Sequence, residues 1–146
     1  MKEWFIHIEN EGDYPIAYMG QKEEVAKQKY WSWANRERLP AHSKIWSREF
    51  IPSGGGVLLT IAECAQQRCR VEILYQKSDG TQKWRKIEPY SYKPQYGTYG
   101  ERFNETEGII FATEQDVPKI KSFTVCHILQ ARHTVEKYEP RWDVEF

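Results

Sequence analysis

Hydrophobic and polar positions change period several times along the chain. Trp4-Phe-Ile-His-Ile8 and Tyr14-Pro-Ile-Ala-Tyr-Met19 are short runs of aromatic and β-branched residues separated by Glu11-Gly12-Asp13. They predict two strands of a hairpin. From Gln21 to Arg36 the composition favours helix, Ala26, Tyr30 and Trp33 recur at spacings of four and three, and Pro40 blocks continuation. Ser43 to Ile51 carries Ile45, Trp46, Phe50 and Ile51 and predicts a third strand, although its alternation is not clean. Residues 1–55 thus form an expected β-β-α-β unit, and Pro52-Ser-Gly-Gly-Gly56 is its expected boundary, because glycine gains no packing for the entropy it loses. A phosphate-cradling loop would require Gly-Lys-Ser/Thr at this point. Val57-Leu-Leu59 follows instead, so the glycines read as a linker or turn.

Beyond the glycines, Thr60-Ile-Ala-Glu63 matches a capping box and predicts a short helix running to about Cys69. Ile61, Ala62, Ala65 and Cys69 would share its buried face, leaving Cys64 the more exposed cysteine. Val71, Ile73 and Tyr75 alternate with polar or outward positions, Ser78-Asp-Gly80 supplies a turn, and Thr81 to Glu88 supplies the return strand of a hairpin. The segment Tyr90–Gly100 holds four tyrosines among turn-forming residues, which reads as irregular but too aromatic for an idle linker. Gly108 to Ala112 predicts a short apolar strand. Lys119 to Leu129 predicts a longer one, with Phe123, Val125, His127 and Leu129 on one face. One helix followed by several short strands favours a small curled sheet or barrel. The expected class is α+β.

Composition narrows the partners. Hydrophobic residues make up 40% and aromatic residues 14% of the 146, enough to bury a core. No run approaches the roughly 18–20 apolar residues that span a bilayer, and the N-terminus lacks the apolar stretch of a signal peptide. No membrane association and a cytoplasmic location are therefore expected. Net charge is zero, with 21 Lys plus Arg against 21 Asp plus Glu, so any attraction for a polyanion must be local. Local positive charge lies in Lys83, Arg85, Lys86 and Lys93, and again in Lys119, Lys121 and Arg132 with His127 and His133. An acidic loop containing Glu101, Glu105 and Glu107 is expected between them. The three cysteines, Cys64, Cys69 and Cys126, form no close pair and predict neither a disulfide framework nor a zinc site.

The ordered set Val71-Glu-Ile-Leu-Tyr75, Asp79-Gly80, Arg85-Lys-Ile-Glu-Pro-Tyr90, Lys121-Ser-Phe123 and His127-Ile128, with Tyr138-Glu-Pro-Arg-Trp142 near the end, resembles a WYL domain over about residues 57–146. The namesake Trp-Tyr-Leu tripeptide is replaced by Ile109-Ile110-Phe111. Where the family commonly has arginines along the last long strand, this chain has Lys121, Thr124 and His127. The resemblance implies an Sm-type small β-barrel with a preceding helix, used for ligand sensing or nucleic-acid contact in regulation rather than for catalysis. It further implies that Arg85, Lys121 and His127 share a barrel face flanked by Tyr75, Tyr90 and Phe123. Cations beside aromatic faces suit a nucleotide-like ligand or single-stranded nucleic acid.

Other readings of the same residues remain open. Tyr75 and Phe123 suit core positions, Arg85 and Lys121 suit solvated strands, and His127, aligned with Phe123 and Val125, suits a hydrogen-bonded core position better than a ligand contact. An enzyme would have to assemble Cys126, His133 and Glu136 without a supporting motif, or use the spaced glutamates as a metal site, so neither catalytic nor metal-binding residues are expected, nor any cofactor. Twenty-one aromatic residues are many for one small core. Trp46, Trp84 and the tyrosines from Tyr90 to Tyr99 therefore also suit a protein-partner or homo-oligomer surface. The usual DNA-binding helix-turn-helix is missing from residues 1–55, whose single expected helix leaves their role unassigned.

Overall fold

The computed structural model describes residues 1–16, 18–34, 42–50, 52, 56–95 and 104–146. Among them lie two helices and two antiparallel sheets in a mixed α+β arrangement. Strands β1 (Lys2–Ile8), β2 (Gly12–Ile16) and β3 (Ser43–Glu49) form a sheet in the order β2-β1-β3, with helix α1 (Glu23–Ala34) between β2 and β3 in sequence. Alternation decides the faces. Trp4 and Ile6 pack with Ile16, Tyr18, Ala26 and Tyr30 in one cluster. On the opposite face Phe5 stacks on its cross-strand partner Trp46 at 4.6 Å between ring centroids, and the Arg48 guanidinium lies over Phe5 at 4.9 Å. Helix α1 carries Glu23 and Glu24 in its first turn, where carboxylates complement the helix dipole.

Helix α2 (Val57–Gln66) begins earlier than the capping box implied. Gly56, at φ 100°, occupies the N-cap position, and Thr60 lies inside the helix with its amide donating to the Gly56 carbonyl. A left-handed residue there favours glycine, which explains one of the three glycines. The helix ends before Cys69, which opens the next strand, so the expected cysteine contrast is also corrected: Cys64 and Cys69 are both buried.

The second sheet contains β4 (Cys69–Gln76), β5 (Gln82–Gln95), β6 (Asn104–Glu114), β7 (Val117–Thr124) and β8 (Ile128–Lys137), in the order β7-β6-β5-β4-β8. The expected Asp-Gly turn joins β4 to β5. Gly80 has φ 86°, and Asp79 accepts from the Thr81 amide at 2.8 Å. Three expectations change here. The tyrosine-rich segment is regular strand through residue 95, interrupted by a bulge between Pro89 and Ser91, because proline cannot donate to the ladder. Residues 104–107 of the acidic stretch belong to β6, while Glu101, Tyr96 and Tyr99 lie outside the described residues, as do residues 53–55 of the glycine linker. The expected strand from Lys119 to Leu129 breaks at a 3-10 turn, Val125–His127. The chain then crosses to the far side of the sheet as β8, beside β4.

That crossing curls the sheet. In a flat five-stranded sheet the outer strands would stand about 19 Å apart, whereas the steps from Thr124 to Ile128 reach about 14 Å at most. The two edges therefore approach each other at this end, although β7 and β8 do not pair and the sheet stays unclosed. The concave face holds Val71, Ile73, Ile87, Tyr92, Ile110, Ala112 and Phe123, closed over by Leu58, Ile61, Ala62 and Ala65 of α2.

The apolar cluster of the smaller sheet lies wholly within residues 1–55, while the other cluster draws on both sides of the glycines. Met1, Met19 and Phe146 join the cluster under the larger sheet. The last residues lie back across both parts: Tyr138 Oη donates to the Pro89 carbonyl at 2.5 Å, Glu145 N donates to the Tyr90 carbonyl at 2.7 Å, and Gln21 Nε2 donates to the Phe146 carbonyl at 2.7 Å. Lys22 pairs with Asp143. No helix among the described residues is long and apolar enough to cross a membrane.

Candidate functional site

Directly opposed residues of antiparallel strands project to the same face, so the register alone places the charged groups. Arg85 stands opposite the buried Ile73, Lys121 opposite the buried Ala112, and Phe123 opposite the buried Ile110. All three therefore belong to the concave face. Glu114 follows Ile110 and Ala112 at the two-residue period of β6 and reaches the same side. The apolar floor thus gives way to a charged margin where β5 begins, β6 ends and β7 begins.

At that margin one carboxylate bridges two cations. Arg85 Nη1 donates to Glu114 Oε1 at 2.5 Å, and Lys121 Nζ donates to Glu114 Oε2 at 2.9 Å. The side chains retain 16% (Arg85), 20% (Glu114) and 37% (Lys121) of their exposure, so the cluster is shielded but wet at the lysine. Burial alone would raise the Glu114 carboxyl. The hydrogen bonds from Lys121 and Arg85 and the charge of both outweigh it, holding Glu114 below the ordinary glutamate value. Arg85 Nε is buried with no hydrogen-bond partner among the described residues.

Aromatic groups flank the cations. The Arg85 guanidinium lies 5.9 Å from the Tyr75 ring centroid. Tyr75 meets Phe123 edge-on at 5.2 Å and His127 at 6.1 Å, and its hydroxyl accepts from the Thr124 amide at 3.5 Å. Tyr75 therefore spans the gap between the two edges of the sheet. His127 is exposed on the 3-10 turn. Its expected alignment with Phe123 and Val125 in the core fails because the turn breaks the strand period.

Five of the six expected site residues, Arg85, Lys121, His127, Tyr75 and Phe123, thus gather at one end of the curled sheet. Tyr90 does not. The bulge at Pro89–Ser91 shifts the alternation, and Tyr90 instead packs edge-on against Tyr138 at 5.9 Å and Trp142 at 5.3 Å while accepting from the Arg141 amide. Phe123 is itself a core residue, so the core and ligand-flanking readings of this ring meet in one side chain. The residue missed from the sequence is Glu114. Its signal was a lone carboxylate in phase with Ile110 and Ala112, legible once the strand is known to extend past Ala112.

Other candidates are engaged elsewhere. His133 Nε2 lies 2.7 Å from Glu63 Oε2, and Glu136 pairs with Lys86 and Arg70. The Arg132 guanidinium lies 3.8 Å over the Trp84 ring on the convex face. No cluster of His, Cys, Asp or Glu able to hold a metal occurs among the described residues. Comparison with known proteins finds no matching family model, no matching curated protein and no matching solved structure.

Proposed function

We propose that this chain is a non-enzymatic, WYL-like regulatory or accessory module of the cytoplasm, built on an Sm-type small barrel, that reversibly binds a nucleotide-like ligand or single-stranded nucleic acid. The helix-then-five-strands order and the curl forced by the turn at Val125–His127 support the barrel reading. The observation that carries the binding reading is the convergence of Arg85 and Lys121 with Tyr75, Phe123 and the exposed His127 on one rim of the sheet. A phosphate is attracted by the two cations, and Arg85 offers a planar fork of donors suited to oxyanions. An exposed imidazole beside a tyrosine ring offers a surface on which a base can stack. Tyr90 has no part in this site.

The test is fluorescence anisotropy of labelled single-stranded DNA and RNA, with calorimetric titration of mononucleotides, at low and near-physiological salt. Saturable binding that weakens with salt is expected, together with at least about tenfold loss in Arg85→Ala and in Lys121→Ala while both stay folded. Equal affinity in the parent and both variants eliminates this site.

A second reading rests on the sheet edges. Among the described residues β7 and β8 each pair on one side only, and they expose Val117, Ile120, Leu129 and Val135, the last at 92%. Unpaired strand edges with apolar side chains suit a protein partner or a second copy of the chain. Sedimentation across a hundredfold concentration range tests self-association. A constant monomer mass removes it.

A further inference from the structure

The cationic pair at the rim already has an anion in it. The two carboxylate oxygens of Glu114 divide between the two cations, Oε1 on Arg85 at 2.5 Å and Oε2 on Lys121 at 2.9 Å, as the oxygens of a bound oxyanion would. We propose that Glu114 is an internal occupant of the anion site, which a ligand phosphate must displace at a cost common to all ligands, so that terminal phosphate monoesters, with their larger charge, still occupy the site while internal phosphodiesters do not. This rests on the binding function proposed above and specifies its ligand.

Three observations support displacement. Glu114 is the last residue of β6, beyond a register shift between Ala112 and Glu114, so it stands at a ladder end, and its side chain keeps 20% of its exposure. Arg85 does not depend on it alone for position. Arg85 lies over Tyr75, which is itself fixed by Phe123 and the Thr124 amide. The guanidinium is also under-satisfied, since Arg85 Nε is buried with no hydrogen-bond partner among the described residues, and a phosphate monoester presents three terminal oxygens where a carboxylate presents two.

Selectivity follows from charge. A phosphodiester carries one negative charge and exchanges with Glu114 nearly like for like. A monoester carries about 1.5 to 2 negative charges at pH 7 and gains on exchange. Internal phosphates of a nucleic-acid strand are thereby disfavoured against a free nucleotide or a 5′-phosphorylated end.

The experiment titrates the full chain with adenosine 5′-monophosphate and with the dinucleoside monophosphate ApA, in the parent, Glu114→Gln, Glu114→Ala and Arg85→Ala, with circular dichroism confirming the fold of each. The parent is expected to prefer the monoester by at least about tenfold. Removing the charge in Glu114→Gln or Glu114→Ala is expected to tighten adenosine 5′-monophosphate and ApA alike, each by at least about tenfold, and so to bring ApA into the measurable range. Binding that Arg85→Ala abolishes but that neither Glu114 variant changes by more than about twofold overturns the internal-occupant proposal and leaves the binding function standing. Absence of Arg85-dependent binding in the parent and in both Glu114 variants overturns the two together.

Discussion

Replacing Glu114 by glutamine keeps the shape of the side chain and removes its charge, which exposes what the cluster contributes to stability. At about 4 Å between charge centres and an effective dielectric near 20, each attraction to Arg85 or Lys121 is worth roughly 4 kcal/mol before costs. Desolvation and the ordering of two long side chains offset most of that. Fully exposed pairs net about 0.2–1 kcal/mol, and breaking a fully buried one costs about 3–5 kcal/mol. With Arg85 and Glu114 mostly shielded and Lys121 at 37% exposure, the expected loss is about 2 kcal/mol at pH 7. For a chain of this length that lowers Tm by about 4–8 °C. The pH dependence follows from the lowered carboxyl of Glu114. A group depressed in the folded state stabilises above its unfolded value, near 4.3 for glutamate, and loses that contribution as pH falls through its folded value. The gap between the parent and Glu114→Gln is therefore present at pH 7 and closes in acid below about pH 4. Urea unfolding of both proteins at pH 7 and pH 3 measures it. A gap under about 0.5 kcal/mol at pH 7, or one that persists unchanged at pH 3, would refute the bridged-carboxylate account.

Other outcomes test the fold beneath the site. Ile110→Ala empties a fully buried position opposite Phe123 and is expected to cost about 2–5 kcal/mol in urea unfolding, whereas Val135→Ala on the exposed edge is expected to change stability by no more than about 0.5 kcal/mol. Gly108→Ala would set a Cβ 2.2 Å from the Tyr92 ring, and the forced shift is expected to cost about 1–3 kcal/mol, read as a lower Tm. Cys126 is exposed while Cys64 and Cys69 are buried, with burial pushing the Cys64 thiol up. A thiol-reactive chromogen is therefore expected to label one cysteine quickly in the native protein and all three in urea, and fast native labelling that survives Cys126→Ser would contradict the burial of the other two.

Local signals were enough wherever the period of hydrophobicity matched one element. The hairpin around Glu11-Gly12-Asp13, the helix through Ala26 and Tyr30, the strand after Ser43 and the Asp79-Gly80 turn were all readable from propensity and alternation, because each depends on a few neighbouring residues. Reading failed where a short signal competed with its surroundings. Thr60 and Glu63 have the capping spacing, but Gly56 takes the cap because its left-handed backbone lets the chain enter α2 one turn sooner. Tyr90 and Tyr92 stand among turn-formers, yet pairing with β6 holds the chain around them in a strand, with register shifts between Pro89 and Ser91 and between Lys93 and Gln95. Five of six expected site residues converge, and the sixth was lost to the shift between Pro89 and Ser91.

The sequence by itself determined the β1–β2 hairpin, helix α1, strand β3, the β4–β5 hairpin and the residues able to carry positive charge, since these follow from side-chain chemistry and the two backbone periods. Only the tertiary structure decided which charges meet. Lys121 lies seven residues after Glu114 and reaches it across the β6–β7 hairpin, whereas Arg85, 29 residues before it, is brought there by the register of β5 on β6. His127 leaves the core because the chain turns at Val125 to reach the other edge of the sheet. Register is set by the simultaneous burial of whole faces, and a one-residue slip would reverse every side chain, so no local window of sequence joins Arg85 to the carboxylate that it binds.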